Sequence, residues 1–265
     1  MPFSSSRAPA RKEFTPLSWL WTRLKACHDA FALLLGLGLF AGLCVTWSLI
    51  AWPLQWILPH RAATRVGRRV ISEGFAFYLA TLATLRFIRI DLAALDGLES
   101  RGPLIVAPNH PSLLDAVLIF ARFRRIGCVV KAGLLQHGLL GIGARMAGYI
   151  PNDRRQSMIK AAVAELTSGH CLLLFPEGTR SSQVPVGPFT NSLALIAKKA
   201  RVPVQTVFIE MNQPFLGKGW PLFRRPILPI VIHVRLGQVF PPESNVRQLT
   251  QRLQDYFSAH LNAQR

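Results

Sequence analysis

A histidine and an aspartate five positions apart could form a catalytic pair in this sequence. The stretch VAPNHPSLLDAV places His110 directly after a short apolar run and Asp115 in the first turns of a segment with helical spacing. A carboxylate behind an imidazole fixes its tautomer and raises its basicity, which is how proteins build a general base. A solvated loop or a helix cap can use the same two residues, so the pair needs further groups before it defines a site.

The region that must position this pair alternates between short apolar runs and helical patterns. We predict strands at residues 104–107, 126–130, 171–175, 204–209 and 230–236, and helices at residues 112–121, 134–146, 158–167, 192–200 and 246–261. Such alternation is typical of an α/β domain with a mixed, largely parallel sheet flanked by helices. Ser112 is the predicted N-cap of the first of these helices.

Two further turns supply charged groups at predicted strand ends. The strand that ends at residue 175 continues into Pro-Glu-Gly-Thr-Arg, which provides Glu177 and Arg180, and the turn at residues 148–154 ends at Arg154. Functional groups gather at the carboxyl ends of strands in open α/β sheets. We therefore predict a base, a carboxylate and two guanidinium groups in one cleft, although each turn alone would be an ordinary surface feature.

These motifs resemble the sequence blocks of the 1-acylglycerol-3-phosphate acyltransferase family. Asn109 and His110 with Asp115 are similar to the family's N-H-x-x-x-x-D block, and residues 175–181 match its F-P-E-G-T-R-S block at every position. The turn at residues 148–154 resembles the G-x-x-x-x-x-R block, and Val-Pro-Val at 202–204 resembles the final V-P-[IV] block. The blocks follow one another in the family's order over roughly residues 75–240.

The resemblance implies an O-acyltransferase that uses an acyl thioester. His110 would take the proton from an acceptor hydroxyl, and Asp115 would hold and polarise His110, as in the serine-protease triad. The arginines would bind the acceptor phosphate, Glu177 would orient an arginine or the acceptor, and backbone amides near Gly178 would steady the oxyanion. The residues that the resemblance assigns to substrate binding are Asn109, Arg154, Glu177, Gly178, Thr179 and Arg180.

The expected acceptor is a lysophospholipid, foremost 1-acylglycerol 3-phosphate, which would give phosphatidic acid. Acyl-CoA or acyl carrier protein is the expected donor, with no further cofactor and no metal. Two departures from the family pattern concern the acceptor pocket, because Thr190 and Ser192 replace a lysine and a glycine, and Thr206 replaces a second proline. A specialised lipid or another pathway-specific hydroxyl acceptor therefore stays open as an alternative.

An apolar segment precedes this domain. Residues 30–59 contain no Asp, Glu, Lys or Arg, and a helix needs about 20 apolar residues to enter a bilayer core. Pro53 could bend this segment, so a single span and a re-entrant insertion both remain open. The basic flanks do not select an orientation, because they number five against four: Arg7, Arg11, Lys12, Arg23 and Lys25 before the segment, and Arg61, Arg65, Arg68 and Arg69 after it.

The chain is thus divided into four predicted parts. Residues 1–29 form a basic, flexible segment, and residues 30–59 insert into the membrane. Residues 60–99 form a basic connector with an interfacial helix at 74–90, for which a position against the core also stays open. Residues 100–265 form the acyltransferase domain. The expected location is a membrane of the bacterial inner-membrane type, with the catalytic domain on the cytoplasmic side. Cys27, Cys44, Cys128 and Cys171 show no paired spacing and are predicted to be reduced.

The net charge of +18 (31 basic against 13 acidic residues) indicates an anionic partner. Membrane lipids fit, whereas a nucleic-acid partner is not expected, because no zinc spacing or other nucleic-acid-binding signature is present. A hydrolase is disfavoured by the absence of G-x-S-x-G. The alternative from another class is a catalytically inactive membrane scaffold of the same fold, which the presence of His110 and Asp115 disfavours.

Overall fold

A computed structural model describes residues 16–181 and 186–262 of the chain. Its helices are α1 (Pro16–Ile57), α2 (His60–Thr84), α3 (Leu114–Phe120), α4 (Ala132–Gln136), α5 (Gly138–Met146), α6 (Arg155–Thr167), α7 (Asn191–Ala200) and α8 (Val246–Asn262). Its strands are β1 (Ile88–Asp91), β2 (Ile105–Pro108), β3 (Gly127–Val130), β4 (Ile150–Pro151), β5 (Leu172–Leu173), β6 (Val204–Met211) and β7 (Ile230–Phe240).

The strands form one mixed sheet in the order β1-β7-β6-β2-β5-β3-β4. Strands β2 to β6 run parallel to one another, while β7 pairs antiparallel with β6, and β1 follows the direction of β7. This arrangement confirms the predicted fold class. The carboxyl ends of the five parallel strands meet at one edge of the sheet, which is called the carboxyl edge below.

Helices cover both faces of the sheet. Leu118 of α3 packs with Tyr78 and Leu82 of α2 on one face, and Ala162 of α6 packs with Ile196 of α7 on the other. All four residues of the central strand β2 are buried, because a parallel strand between two helical layers has no face towards water. The layers therefore hold the end of β2 in a fixed position.

The predicted elements of the α/β domain are present, although several bounds differ: β7 runs four residues past its predicted end, and α6 begins three residues before its predicted start. The predicted helix at 134–146 is two helices, α4 and α5, because His137 between them has extended backbone angles of φ −67° and ψ 124°. The predicted strand at 171–175 is paired only over Leu172–Leu173, and the chain then leaves the sheet towards the turn that carries Glu177.

The predicted interfacial helix at 74–90 is wrong over its last part. Helix α2 ends at Thr84, and Arg86 adopts a left-handed conformation with φ 59° that turns the chain into β1. Strand β1 then pairs with β7 from Ile88 opposite Ile230 onwards. The β-branched side chains of this segment therefore join the sheet, and the predicted connector at 60–99 contains part of the α/β domain.

Helix α1 is longer than the apolar segment predicted from the sequence. It begins at Pro16, so residues 16–29 of the predicted flexible segment are helical, and residues 1–15 lie outside the described part of the chain. The helix continues through Pro53 and is followed directly by α2 at His60. The segment Trp19–Ile57 of this helix is long and apolar enough to cross a membrane. Only 17% of its most apolar stretch of 18 residues is buried. Such an outward-facing apolar surface indicates membrane association.

Arg68 joins α2 to the α/β domain. Its side chain is 4% exposed, and its guanidinium donates to both carboxylate oxygens of Glu165 on α6, at 2.5 and 3.1 Å. It also donates to the carbonyl oxygens of Ala147 and Arg125, both at 2.9 Å. Arg68, which the sequence places in the basic flank of the apolar segment, is therefore a buried ion-pair residue rather than a headgroup contact.

Candidate active site

His110 and Asp115 form the predicted pair at the end of β2. The Nδ1 atom of His110 donates to Oδ2 of Asp115 over 2.9 Å, and the backbone amide of Ser112 donates to the same oxygen over 2.7 Å. The Asp115 side chain is fully buried, whereas the His110 side chain is 15% exposed. The bond at Nδ1 leaves Nε2 of His110 without a partner among the described residues, so this nitrogen can accept a proton.

Burial raises the pKa of Asp115 from its ordinary value of 3.8 to about 6, although the hydrogen bond from His110 lowers it in part. Its second oxygen, Oδ1, is buried and has no hydrogen-bond partner in the described part of the chain. The carboxylate is therefore ionised above about pH 6 and directs its charge to His110. Below that pH the pair loses the charge that holds the imidazole.

Asn109 anchors the turn that carries His110. Its side-chain amide donates to the carbonyl oxygen of Ile209 over 2.9 Å, and its Oδ1 accepts from the amide of Ile209 over 2.7 Å. Both polar ends of this buried side chain are therefore bonded to β6. These bonds position the turn, and the substrate-binding role expected from the sequence stays a prediction.

Ser112 also has a positioning role. Its hydroxyl accepts from the amide of Leu114 over 3.1 Å and donates to the carbonyl oxygen of Phe215 over 2.8 Å. The N-cap residue of α3 is Leu113, so the predicted N-cap is one residue too early. The hydroxyl nevertheless bonds the first helical amide, and its second bond ties the turn to the segment after β6.

Phe175 lies against the imidazole of His110. Its ring stacks on His110 with centroids 3.8 Å apart and an angle of 18° between the planes. This contact arises because β5 pairs with β2, so the residue that follows β5 lies beside the turn that follows β2. The sequence assigned no role to Phe175, although its place in the F-P-E-G-T-R-S block was a usable signal.

The carboxylate of Glu177 bonds to two residues that follow it in the chain. Its Oε1 accepts from the hydroxyl of Ser181 over 2.5 Å, and its Oε2 accepts from the amide of Gly187 over 2.7 Å. The prediction that Glu177 orients an arginine therefore finds no support in the described part of the chain. The carboxylate instead joins Ser181 to Gly187; residues 182–185 between them lie outside the described part of the chain.

The predicted oxyanion amides differ from each other. Gly178 has φ +70°, which a residue with a side chain adopts only with strain, and its amide donates to the carbonyl oxygen of Phe175 over 3.0 Å. That amide is therefore not available to a substrate. The exposed Thr179 has no partner for its amide within the described ranges, so it is the remaining candidate in this turn.

The structure brings Arg180, but not Arg154, close to His110. Nη1 of Arg180 donates to the carbonyl oxygens of Leu216 and Gly217 over 3.0 and 2.8 Å. The amide of the next residue, Ser181, donates to the carbonyl oxygen of His110 over 2.8 Å. Arg154 is exposed and follows β4, which lies two strand spacings, or about 10 Å, from β5. Both arginines lie at the carboxyl edge.

The segment 212–217, which follows β6, is part of the site and was missed from the sequence. Its carbonyl oxygens at Phe215, Leu216 and Gly217 receive the bonds from Ser112 and Arg180, and Leu216 also accepts from the amide of Leu113 over 3.2 Å. A signal was available, since β6 is a parallel strand and its end must lie at the carboxyl edge.

The positions that depart from the family pattern have defined places. Thr190 is the N-cap residue of α7, and both its amide and its hydroxyl donate to the carbonyl oxygen of Pro176, over 2.9 and 3.3 Å. Buried Thr206 donates to the carbonyl oxygen of Gln238 over 2.8 Å. Thr190 therefore stabilises the turn that begins at Pro176 but supplies no positive charge beside it.

The described ranges contain no group of three or more His, Cys, Asp or Glu residues that could hold a metal ion.

Comparison with known proteins yields one family. Residues 89–210 match the Acyltransferase family. A 1-acyl-sn-glycerol-3-phosphate acyltransferase of Pseudomonas aeruginosa is 24% identical over 222 residues, which cover 80% of this chain and 83% of that protein. A chloroplastic 1-acyl-sn-glycerol-3-phosphate acyltransferase, BAT2 of Brassica napus, is 28% identical over 57% of this chain and 46% of its own length. The chain thus spans about half the length of its plant relative.

A solved structure has the same fold. The crystal structure of a 1-acyl-sn-glycerophosphate acyltransferase from Thermotoga maritima matches with a TM-score of 0.63, over 90% of this chain and 97% of that one. The two sequences are 17% identical. The match extends beyond the part of the chain that follows α2, because residues 85–265 make up only about two thirds of the chain.

Proposed function

The chain belongs to the glycerophospholipid acyltransferase family, and from this premise we propose that it transfers a fatty acyl group from an acyl thioester to the hydroxyl of 1-acylglycerol 3-phosphate. The observation that carries this proposal is the bond between His110 and buried Asp115, beside the turn that holds Arg180. Its relatives in Pseudomonas aeruginosa and Brassica napus are named for the same acceptor.

His110 acts as the general base in this reaction. Its Nδ1 proton stays in the bond to Asp115, so its Nε2 accepts the proton of the acceptor hydroxyl as the oxygen attacks the thioester carbon. Asp115 stabilises the positive charge that develops on the ring, and Phe175 holds the ring plane. The pair thus supplies charge and orientation together, without a nucleophile of its own.

The acyl group passes directly from donor to acceptor. Attack forms the new C–O bond and puts negative charge on the carbonyl oxygen, which the Thr179 amide can stabilise. The C–S bond then breaks, and the leaving thiolate takes the proton from Nε2 of His110. The products are phosphatidic acid and the free thiol of the donor, and no acyl-enzyme forms.

The acceptor phosphate and the donor both require positive charge at the carboxyl edge. Arg180 can turn its remaining N–H groups to the phosphate, while exposed Lys131, Arg154 and Arg155 follow β3 and β4 at the same edge. The exposed basic residues Arg122 and Lys198 lie at the opposite edge of the sheet, because α3 and α7 run away from the site. We therefore place an anionic donor, acyl-CoA or acyl carrier protein, on the β3–β4 side of the carboxyl edge.

The location completes the proposal. Because α1 presents an apolar surface and the acceptor is a lipid, the α/β domain lies at the membrane surface. An acyl-CoA or acyl carrier protein donor is a cytoplasmic molecule, so we place the domain on the cytoplasmic side of an inner membrane of the bacterial type.

A second candidate is the same reaction on a specialised lipid acceptor. Thr190 favours it, because it leaves the Pro176 turn without the family's lysine. One cationic partner of a partly buried phosphate contributes about 1.5–3 kcal/mol, or roughly one to two orders of magnitude in affinity. An acceptor with a less charged headgroup would lose less binding affinity when threonine replaces the lysine.

The test compares 1-acylglycerol 3-phosphate with its dephosphorylated analogue, monoacylglycerol, and reads the product masses. We expect Arg180→Ala and Arg154→Ala to raise the KM for the phosphorylated acceptor about tenfold or more, with little effect on the other. Arg122→Ala is the control, since this exposed arginine lies at the opposite edge of the sheet. Equal rates on both acceptors, unchanged by either arginine variant, would contradict the phosphate assignment. If the protein turned over no acceptor at all, the catalytically inactive membrane scaffold would be the remaining alternative.

A further inference from the structure

We propose that the loop at residues 218–227 is a second membrane-contact site, which places apolar side chains in an anionic lipid surface beside helix α1. The loop follows the site segment 212–217 and leads into β7. It reads KGWPLFRRPI and contains three basic residues and no acidic residue. The inference concerns how the protein lies on the membrane and does not depend on which reaction it catalyses.

The loop presents large apolar side chains to the outside. Leu222 is 48% exposed, Phe223 is 71% exposed and Ile227 is 68% exposed. Side chains of this size are exposed singly on many proteins, but here three of them lie within six residues of one loop. Within the described part of the chain, Phe223 and Ile227 are among the most exposed apolar side chains outside α1.

The loop is built to hold these side chains outward. The side-chain amide of Gln213 donates to the carbonyl oxygen of Ile227 over 2.6 Å and accepts from its amide over 2.9 Å, which closes the base of the loop. Trp220 packs edge-on against Phe215 of the core, with centroids 5.9 Å apart, and its indole N–H donates to the carbonyl oxygen of Arg224. A loop with these internal bonds has a fixed shape, so its apolar side chains do not fold back onto the protein.

The loop continues the apolar surface of α1. Nη1 of Arg225 donates to the carbonyl oxygen of Ala26 on α1 over 3.2 Å, and Pro226 lines an apolar groove together with Leu33 and Leu37 of the same helix. On α1 the exposed side chains nearest in sequence include Leu24 (56%) and Phe31 (61%). A membrane that contacts this part of α1 therefore also meets the loop.

The charges of the loop select an anionic lipid surface as the occupant. Lys218, Arg224 and Arg225 flank the three apolar side chains, and a mixture of basic and large apolar residues suits the boundary between headgroups and acyl chains. The Arg224 guanidinium lies 4.6 Å above the ring of Trp220, an aromatic residue type that is enriched at this boundary. A protein partner would not account for the continuity with α1.

Depth-dependent fluorescence quenching of the full-length protein in vesicles tests the contact. A polarity-sensitive probe is attached to Phe223→Cys or Ile227→Cys in a background with Cys27→Ser and Cys44→Ala, because the other two cysteines are buried. The protein is reconstituted into vesicles of phosphatidylethanolamine and phosphatidylglycerol that contain lipids with spin labels at different depths. Val239→Cys is the matched control, since Val239 is 47% exposed near the end of β7, at the sheet edge away from the site.

We expect shallow spin labels to quench the probes at 223 and 227 several-fold more strongly than the probe at 239. Vesicles of neutral lipid should give weaker quenching at both loop positions. Quenching at 223 and 227 no stronger than at 239 would overturn the proposal. The emission of both loop probes is also measured in detergent micelles without lipid. A blue shift of this emission that increases with protein concentration would indicate a second copy on this surface and would also overturn the proposal. The readout needs no turnover, so it stands apart from a failure of the acyltransferase assay.

Discussion

Replacing Asp115 by asparagine should remove activity, and the variant should gain stability relative to the wild type as the pH rises from 4 to 8. Burial raises the pKa of Asp115 to about 6, against an ordinary value of 3.8, so the folded state binds this proton more tightly than the unfolded chain does. The stability that this group contributes is fully present below about pH 4 and is lost as the pH rises through about 6. Asparagine does not ionise, so the variant does not share that loss.

The magnitude follows from the size of the shift. A shift of roughly two pH units at about 1.4 kcal/mol per unit corresponds to about 3 kcal/mol between pH 4 and pH 8. The asparagine oxygen can keep the bond from the amide of Ser112, and its amino group takes the place of the unpaired Oδ1. The energy of that exchange does not depend on pH, so it cancels when the variant and the wild type are compared at the two pH values.

The assay is thermal unfolding of the full chain in detergent micelles at pH 4 and pH 8. The thermal midpoint of Asp115→Asn minus that of the wild type should rise by about 6–12 °C between the two pH values, at about 2–4 °C per kcal/mol for a chain of this size. Asp255→Asn, which changes an exposed aspartate on α8, is the control and should show no such rise. If the difference in thermal midpoint between Asp115→Asn and the wild type were the same at pH 4 and pH 8, as it is for the control, the reasoning would be refuted. Turnover by Asp115→Asn should fall by roughly 10³-fold or more.

Three further results follow from the same geometry. Phe175→Leu removes the stack on His110 and should lower kcat by about 2–10-fold with little change in KM, as steady-state kinetics would show. Glu177→Ala removes the bonds to Ser181 and Gly187 and should lower the free energy of unfolding by about 2–3 kcal/mol, read from thermal midpoints against Glu73→Ala, whose side chain is 49% exposed. The full chain should stay with membranes through a high-salt wash, because the contact of α1 is apolar; release by salt alone would contradict insertion.

The sequence carried the parts of the site that local order determines. His110 and Asp115 are separated by one turn, so their meeting required only that residues 104–107 form a strand and that a helix begins soon after residue 112. The two blocks that contain His110 and Arg180 lie after paired parallel strands, and strand direction alone brings them to one edge. The fold class was predictable for the same reason.

The remainder depends on long-range contacts that local patterns do not encode. The sequence did not predict the bonds of Asn109 to Ile209, because Ile209 lies on β6, far along the chain. The turn at Arg86 ended a helix that apolar content alone would have continued, because Ile88 onwards pairs with β7. Arg68 was counted with the basic flank of the apolar segment, because nothing local indicates its partner Glu165, which belongs to another layer. These differences have one origin: the environment of each residue depends on a partner that lies far away in the sequence.

The most direct test of the account is product formation by the purified full-length protein and its His110→Ala variant. Each is given 1-acylglycerol 3-phosphate and acyl-CoA or acyl carrier protein thioester, and phosphatidic acid is measured by mass spectrometry. Because Nε2 of His110 is the proposed base, the wild type should form phosphatidic acid, and the variant should form none above background while keeping the thermal midpoint of a folded protein. Phosphatidic acid formed at a near wild-type rate by a folded His110→Ala variant would contradict the mechanism.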